Sequence, residues 1–197
     1  MCRIVVLISG FGSNLQALID AERRNELGGS HIVAVFSNRA DAFGLERARK
    51  AGLPTEVVSH KDFPAREAFD AALMERIDAY RPDLVVLAGF MRILTPAFVH
   101  HYAGRLINIH PSLLPKYPGM NTHARAIAAG DAEHGATVHL VTEGVDEGPI
   151  ILQGRVPVMP DDTPETLQQR VHAIEHKIYP EAVRMLCTKF SPAKTNP

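Results

Sequence analysis

The first half of the chain alternates short, continuous apolar runs with segments of helical period. The runs are Ile4–Ile8, His31–Phe36, a weaker Thr55–Val58, Leu84–Ala88 and Arg105–His110. Strands that are apolar on both faces belong in a parallel sheet covered on both sides. Between two of them, Phe69, Leu73, Ile77 and Tyr80 are spaced 4, 4 and 3 apart, which predicts a helix stopped by Pro82. Leu45 and Ala48, closed by Gly52, predict a shorter helix, and another opens at Ser13 after the first strand. Strand and helix in alternation predict a doubly wound α/β sheet.

The pattern changes after His110. Thr137–Val141 and Pro149–Val158 are strand-like with no long helix between them, which predicts an antiparallel pair. A last helix follows Thr163-Pro164-Glu165, with Leu167, Val171, Ile174 and Ile178 as its stripe. Residues 192–197 read as a frayed tail. With no repeat, low-complexity segment or linker, the expectation is a single Rossmann-like doubly wound domain over 1–187 and a C-terminal tail over 188–197. Its sheet should be mostly parallel, with antiparallel C-terminal strands.

Composition narrows the partners. A chain of 197 residues that is 46% apolar can bury one sizeable core. A formal net charge of −1 gives no general attraction to nucleic acid or to an anionic membrane. Ile4–Ile8 is five residues long and runs straight into Ser9-Gly10, so it reads as a strand and not a secretory signal. The expectation is a cytoplasmic protein, monomer or homodimer, with no nucleic-acid or membrane partner. Cys2 and Cys187 match no metal spacing. They read as two free thiols of a reducing compartment rather than as a staple joining the ends.

Candidate chemistry gathers where strands run out. Asn108 and His110 are two apart at the end of the fifth strand and so share a face, at the usual place for a ligand in an open α/β sheet. Asp146 lies on another loop, between Gly144 and Gly148. An amide, an imidazole and a carboxylate meeting there would suit acyl-type transfer; otherwise the pair satisfies loop backbone and Asp146 is a turn aspartate. The long, proline-rich loop from Pro111 to Gly119 favours function. Its Leu114-Pro115 bond is a candidate cis peptide. Ser9-Gly10-Phe11-Gly12-Ser13-Asn14 is either a phosphate cradle at a helix start or a plain tight turn. Leu15 stands where a dinucleotide site needs a small residue, and Ser37-Asn38-Arg39 offers no acid, so an NAD site is disfavoured and a phosphate monoester preferred.

Five motifs in order then carry a specific resemblance. They are Ile8-Ser9-Gly10-Phe11-Gly12-Ser13-Asn14-Leu15, Phe36-Ser37-Asn38, Leu87 to Leu94, Asn108 to Pro115, and Asp146-Glu147-Gly148-Pro149. Together they resemble the phosphoribosylglycinamide formyltransferases, folate-dependent enzymes of purine synthesis, from about Ile4 to about Leu186. The resemblance implies formyl transfer from 10-formyltetrahydrofolate to the amine of glycinamide ribonucleotide, without a metal. It implies Asn108, His110 and Asp146 as the catalytic trio. It assigns Gly12, Ser13 and Asn14 to the substrate phosphate and Glu175 to the ribose hydroxyls. It assigns Arg66, Met91, Arg92, Ile93, Leu94, Asn108 and the loop Thr142, Glu143, Gly144, Val145, Asp146 to folate. Near position 172, where such enzymes often carry Lys or Gln, this chain has His172, which would make the phosphate grip pH-dependent. Read from the residues alone, Ile93 and Leu94 are ordinary helix-start core, Arg66 is a solvated arginine, and His172 with Glu175 is an exposed pair.

In the implied chemistry, Asn108 donates to the formyl oxygen, a contact worth roughly 3 kcal/mol of barrier. His110, as imidazolium, donates a second bond and protonates the departing folate nitrogen. Asp146, directly or through a water, favours that imidazolium. The alternatives are a related formyltransferase on another amine or a formyl-folate deformylase. A tRNA formyltransferase should carry a further C-terminal domain and a deformylase an N-terminal regulatory one. A non-catalytic nucleotide- or folate-binding protein would have no need of all three residues.

Overall fold

The computed structural model describes residues 1–190. Seven strands form one sheet in the order β3-β2-β1-β4-β5-β6-β7. Strands β1 (Arg3–Ile8), β2 (His31–Ser37), β3 (Thr55–Val57), β4 (Leu84–Leu87) and β5 (Leu106–His110) run parallel. Strands β6 (Glu133–Leu140) and β7 (Ile150–Pro157) run antiparallel, as the change of pattern after His110 predicts. The chain steps outward from β1 to β3, then returns to the other side of β1 as β4 and β5. That reversal opens a crevice at the carboxyl ends of β1 and β4.

Strand β1 explains why the runs are apolar throughout. Ile4, Val6 and Ile8 pack into one core with Leu15, Leu18 and Ile19 of α1 (Ser13–Arg23), Leu45 and Ala48 of α2 (Phe43–Lys50), and Leu167, Val171 and Ile178 of α6 (Pro164–Phe190). Val5 and Leu7 face the opposite core, with Phe69, Leu73 and Ile77 of α3 (Arg66–Asp78) and Phe98 and Val99 of α4 (Pro96–His101). Thr95 caps α4 by accepting from the Phe98 N–H, with Pro96 in its first turn. Helices α4 and α5 (Thr122–Ala128), six and seven residues long, are too short to display a period.

Strand β6 begins at Glu133, earlier than the expected Thr137. Gly135, inside this strand, serves a close backbone approach. A Cβ there would lie 1.9 Å from the Gly154 carbonyl oxygen of β7. The cysteines correct the sequence reading: Cys2 and Cys187 are joined in a disulfide, their Cα atoms 5.5 Å apart, both side chains buried. The start of β1 lies beside the end of α6, a proximity that spacing along the chain does not reveal. Residues 188–190, expected to open a tail, complete the last turn of α6. The expected frayed tail, 192–197, falls outside the described residues. The Leu114-Pro115 bond is cis.

Candidate active site

His110 closes β5 and is almost fully buried. Its Nε2 lies 2.8 Å from the Tyr117 carbonyl oxygen; a carbonyl only accepts, so that nitrogen carries a proton. Its Nδ1 lies 3.4 Å from Asp146 Oδ2. The same carboxylate oxygen accepts from the Gly119 N–H at 2.9 Å. Asp146 reaches this position from a left-handed backbone conformation (φ 54°), between the glycines that make its loop tight. Asn108, half-buried, shares the strand face of His110 and pairs across the ladder with His139.

Strand β6 brings residues that sequence reasoning missed. His139 Nε2 is buried 3.9 Å from Asp146 Oδ1, and its Nδ1 donates to the Leu140 carbonyl at 3.0 Å. Burial pushes its imidazole below the ordinary histidine range. Thr137 donates to the Ser112 carbonyl at 2.7 Å and accepts from the Leu114 N–H at 3.1 Å, which pins the loop after His110. His123 and His134 share a 3.1 Å contact behind that loop, and burial drives His134 down to about 4. The available signal was the alternation of Thr137 and His139 on the strand opposite Asn108 and His110.

The loop from Ser9 to Asn14 leaves β1 and enters α1 through Gly12 (φ 78°). The first N–H groups of α1 have no partner within the helix, an arrangement whose chemistry suits an anion. The Asn14 side chain approaches Glu175 of α6, and its Oδ1 is buried with no partner. Glu175 is 5% exposed, not the exposed group the sequence suggested. Burial raises its carboxyl to about 7, with the Asn14 contact opposing. His172 Nε2 stands 3.8 Å away, and burial lowers its affinity for a proton, which leaves it a neutral donor at pH 7. One turn further along α6, Tyr179 donates to the Leu87 carbonyl at 2.5 Å, so this helix packs over the end of β4.

The segment after β4 is tied to the same edge. The Ser9 N–H donates to the Gly89 carbonyl at 3.0 Å, and Ser9 Oγ accepts from the Met91 N–H at 2.8 Å while donating to Asn38 at 2.6 Å. Thr95 N–H donates to buried Asp70 of α3 at 2.7 Å. Met91 and Ile93 project outward and Leu94 packs inward. Arg92 lies over the Phe69 ring at 5.7 Å, with a buried Nε that has no partner. Arg66, exposed, opens the helix that carries Phe69 and Asp70. An apolar cleft of about 530 Å³ is lined by Val99, His100, Leu140, Val141, Thr142 and Gly144, among others. Glu143 pairs with His100 at the rim of this cleft, and Val145 is exposed. Among the described residues no cluster of His, Cys, Asp or Glu could hold a metal ion, and no helix is long and apolar enough to cross a membrane.

Known proteins resemble this chain over most of its length. A family model described as formyl transferase matches residues 2–183. The phosphoribosylglycinamide formyltransferase of Escherichia coli is 61% identical over 90% of this chain and 83% of its own. The solved structure of that enzyme from Coxiella burnetii superposes with a TM-score of 0.91 at 57% identity, covering 95% of this chain and 88% of the other. A glycinamide ribonucleotide transformylase from Symbiobacterium toebii gives 0.93 at 50%, covering 96% and 89%. With the matched family spanning nearly the whole sheet and the site at its edge, the chain belongs to the formyl transferase family.

Proposed function

We propose that this enzyme transfers the formyl group of 10-formyltetrahydrofolate to the primary amine of N1-(5-phosphoribosyl)glycinamide, a step of de novo purine biosynthesis. The observation that carries the reading is the approach of His110 Nδ1 to Asp146 at 3.4 Å, at the end of the strand that also bears Asn108. The names of the relatives support glycinamide ribonucleotide as the acceptor of a formyl group.

The amine nitrogen forms a bond to the formyl carbon, and the bond from that carbon to the folate N10 breaks. Asn108 donates to the formyl oxygen as negative charge develops there. His110 Nε2 stays on the Tyr117 carbonyl, and Nδ1, beside Asp146, carries the proton that passes to N10; the proton the amine loses replaces it. Gly12, Ser13 and Asn14 bind the phosphate, and Glu175, aided by His172, accepts from the ribose hydroxyls. The apolar cleft beside Val141 and the segment Met91, Arg92, Ile93 and Leu94, of which Met91 and Ile93 face outward, bound the folate ring, with Thr142 to Asp146 closing over it. Arg66 takes the folate carboxylates as an ion pair. Amide, imidazolium and carboxylate suffice for this scheme. We assign the enzyme to the cytoplasm, as a monomer or homodimer acting on small molecules.

The test is to follow the folate absorbance with formyl-folate, with and without glycinamide ribonucleotide. A change only with both supports transfer. A change with folate and water alone indicates a deformylase instead.

A further inference from the structure

A cradle built from glycines has many backbone conformations and needs to be held from outside. Here the hold comes from α2. Its Gly44 N–H donates to the Gly10 carbonyl at 3.0 Å. A Cβ on Gly12 would stand 2.7 Å from the Gly44 Cα, so the loop and the helix touch backbone to backbone. One turn along, Arg47 Nε donates to the Phe11 carbonyl at 2.8 Å, and its Nη1 reaches Gln16 Oε1 of α1 at 3.3 Å. The guanidinium sits 4.3 Å from the Phe11 ring centroid and 4.9 Å from that of Phe43, and the two rings stack at 5.3 Å. This accounts for two large aromatic side chains exposed beside the loop.

The carbonyl of one residue and the N–H of the next belong to one planar trans peptide and point in opposite directions. With the Gly10 and Phe11 carbonyls both fixed on α2, the N–H groups of Phe11 and Gly12 are both turned away from it. Neither donates to any group among the described residues. Two successive N–H groups facing one side make an anion-binding concavity. We propose that Arg47 is the positioning residue of the phosphate loop: it aims these N–H groups at the substrate phosphate and sets the affinity for the phosphorylated amine without reaching the reacting atoms. This rests on the phosphate-loop reading above.

The test compares Arg47→Met, Arg47→Lys and Phe43→Leu with the wild type in steady-state kinetics, with inorganic phosphate as competitive inhibitor. For Arg47→Met, the KM for glycinamide ribonucleotide and the phosphate inhibition constant should both rise about tenfold. The kcat and the formyl-folate KM should stay unchanged. Lysine keeps the charge but not the planar fork, so it should restore little; Phe43→Leu should give a smaller rise in the same two constants. Wild-type constants in Arg47→Met overturn the proposal. So does full rescue by lysine, which would make Arg47 a point charge, and so does a fall in kcat with a lowered Tm, which would make it merely structural. Failure of inorganic phosphate to compete in the wild type refutes the phosphate loop itself, whatever Arg47 does.

Discussion

Glu175→Gln should make the protein more stable and a poorer enzyme, and the two effects should separate with pH. The carboxyl is 5% exposed, and burial raises it from 4.5 to about 7. A raised carboxyl holds its proton more tightly in the folded state. Its contribution to stability is therefore complete below about pH 4.5, shrinks as pH rises, and is gone above about pH 7. At about 1.4 kcal/mol per factor of ten in proton affinity, the loss amounts to roughly 3 kcal/mol. Glutamine mimics the protonated acid at every pH. The variant should match the wild type in urea unfolding at about pH 4.5 and exceed it by roughly 3 kcal/mol at about pH 8.5. Over the same range its KM for glycinamide ribonucleotide should be raised at least about tenfold at high pH, because an amide replaces a charged acceptor for the ribose hydroxyls. Unfolding curves that stay a constant distance apart across this range would refute the buried, proton-holding carboxyl. An unchanged KM would remove Glu175 from the substrate site.

Asp146→Asn keeps the side-chain shape but takes the charge from His110 and from the Gly119 N–H, and should lower kcat by about 10²-fold or more in single-turnover assays. Ser9→Ala removes the acceptor of the Met91 N–H and a donor to Asn38, so the KM for formyl-folate should rise by roughly two- to tenfold in titrations at saturating amine. Without reductant, Cys2 and Cys187 should resist alkylation in denaturant when read by mass spectrometry, and reduction should cost about 2–4 kcal/mol in urea unfolding.

What the sequence made legible follows from what side chains reveal. Ile4 to Ile8 read as a two-faced strand because alternate residues feed two cores, and that periodicity is a local property. Asn108 and His110 share a face for the same reason. Contacts made through the main chain left no such trace. The Tyr117 carbonyl that fixes the His110 ring could belong to any residue, and so could the Gly119 N–H that holds Asp146. Glu175 looked like a solvated helix acid because its burial comes from an approach to α1 at the far end of the chain, where Asn14 meets it. Cys2 and Cys187 misled for the same cause, since their closeness depends on β1 and α6 folding side by side. Gly135 likewise shows its purpose only across the sheet, where its missing Cβ admits the Gly154 backbone. At Gly12, as at Gly135, the partner is another backbone, that of Gly44, and this is why a loop able to adopt many conformations is held in one.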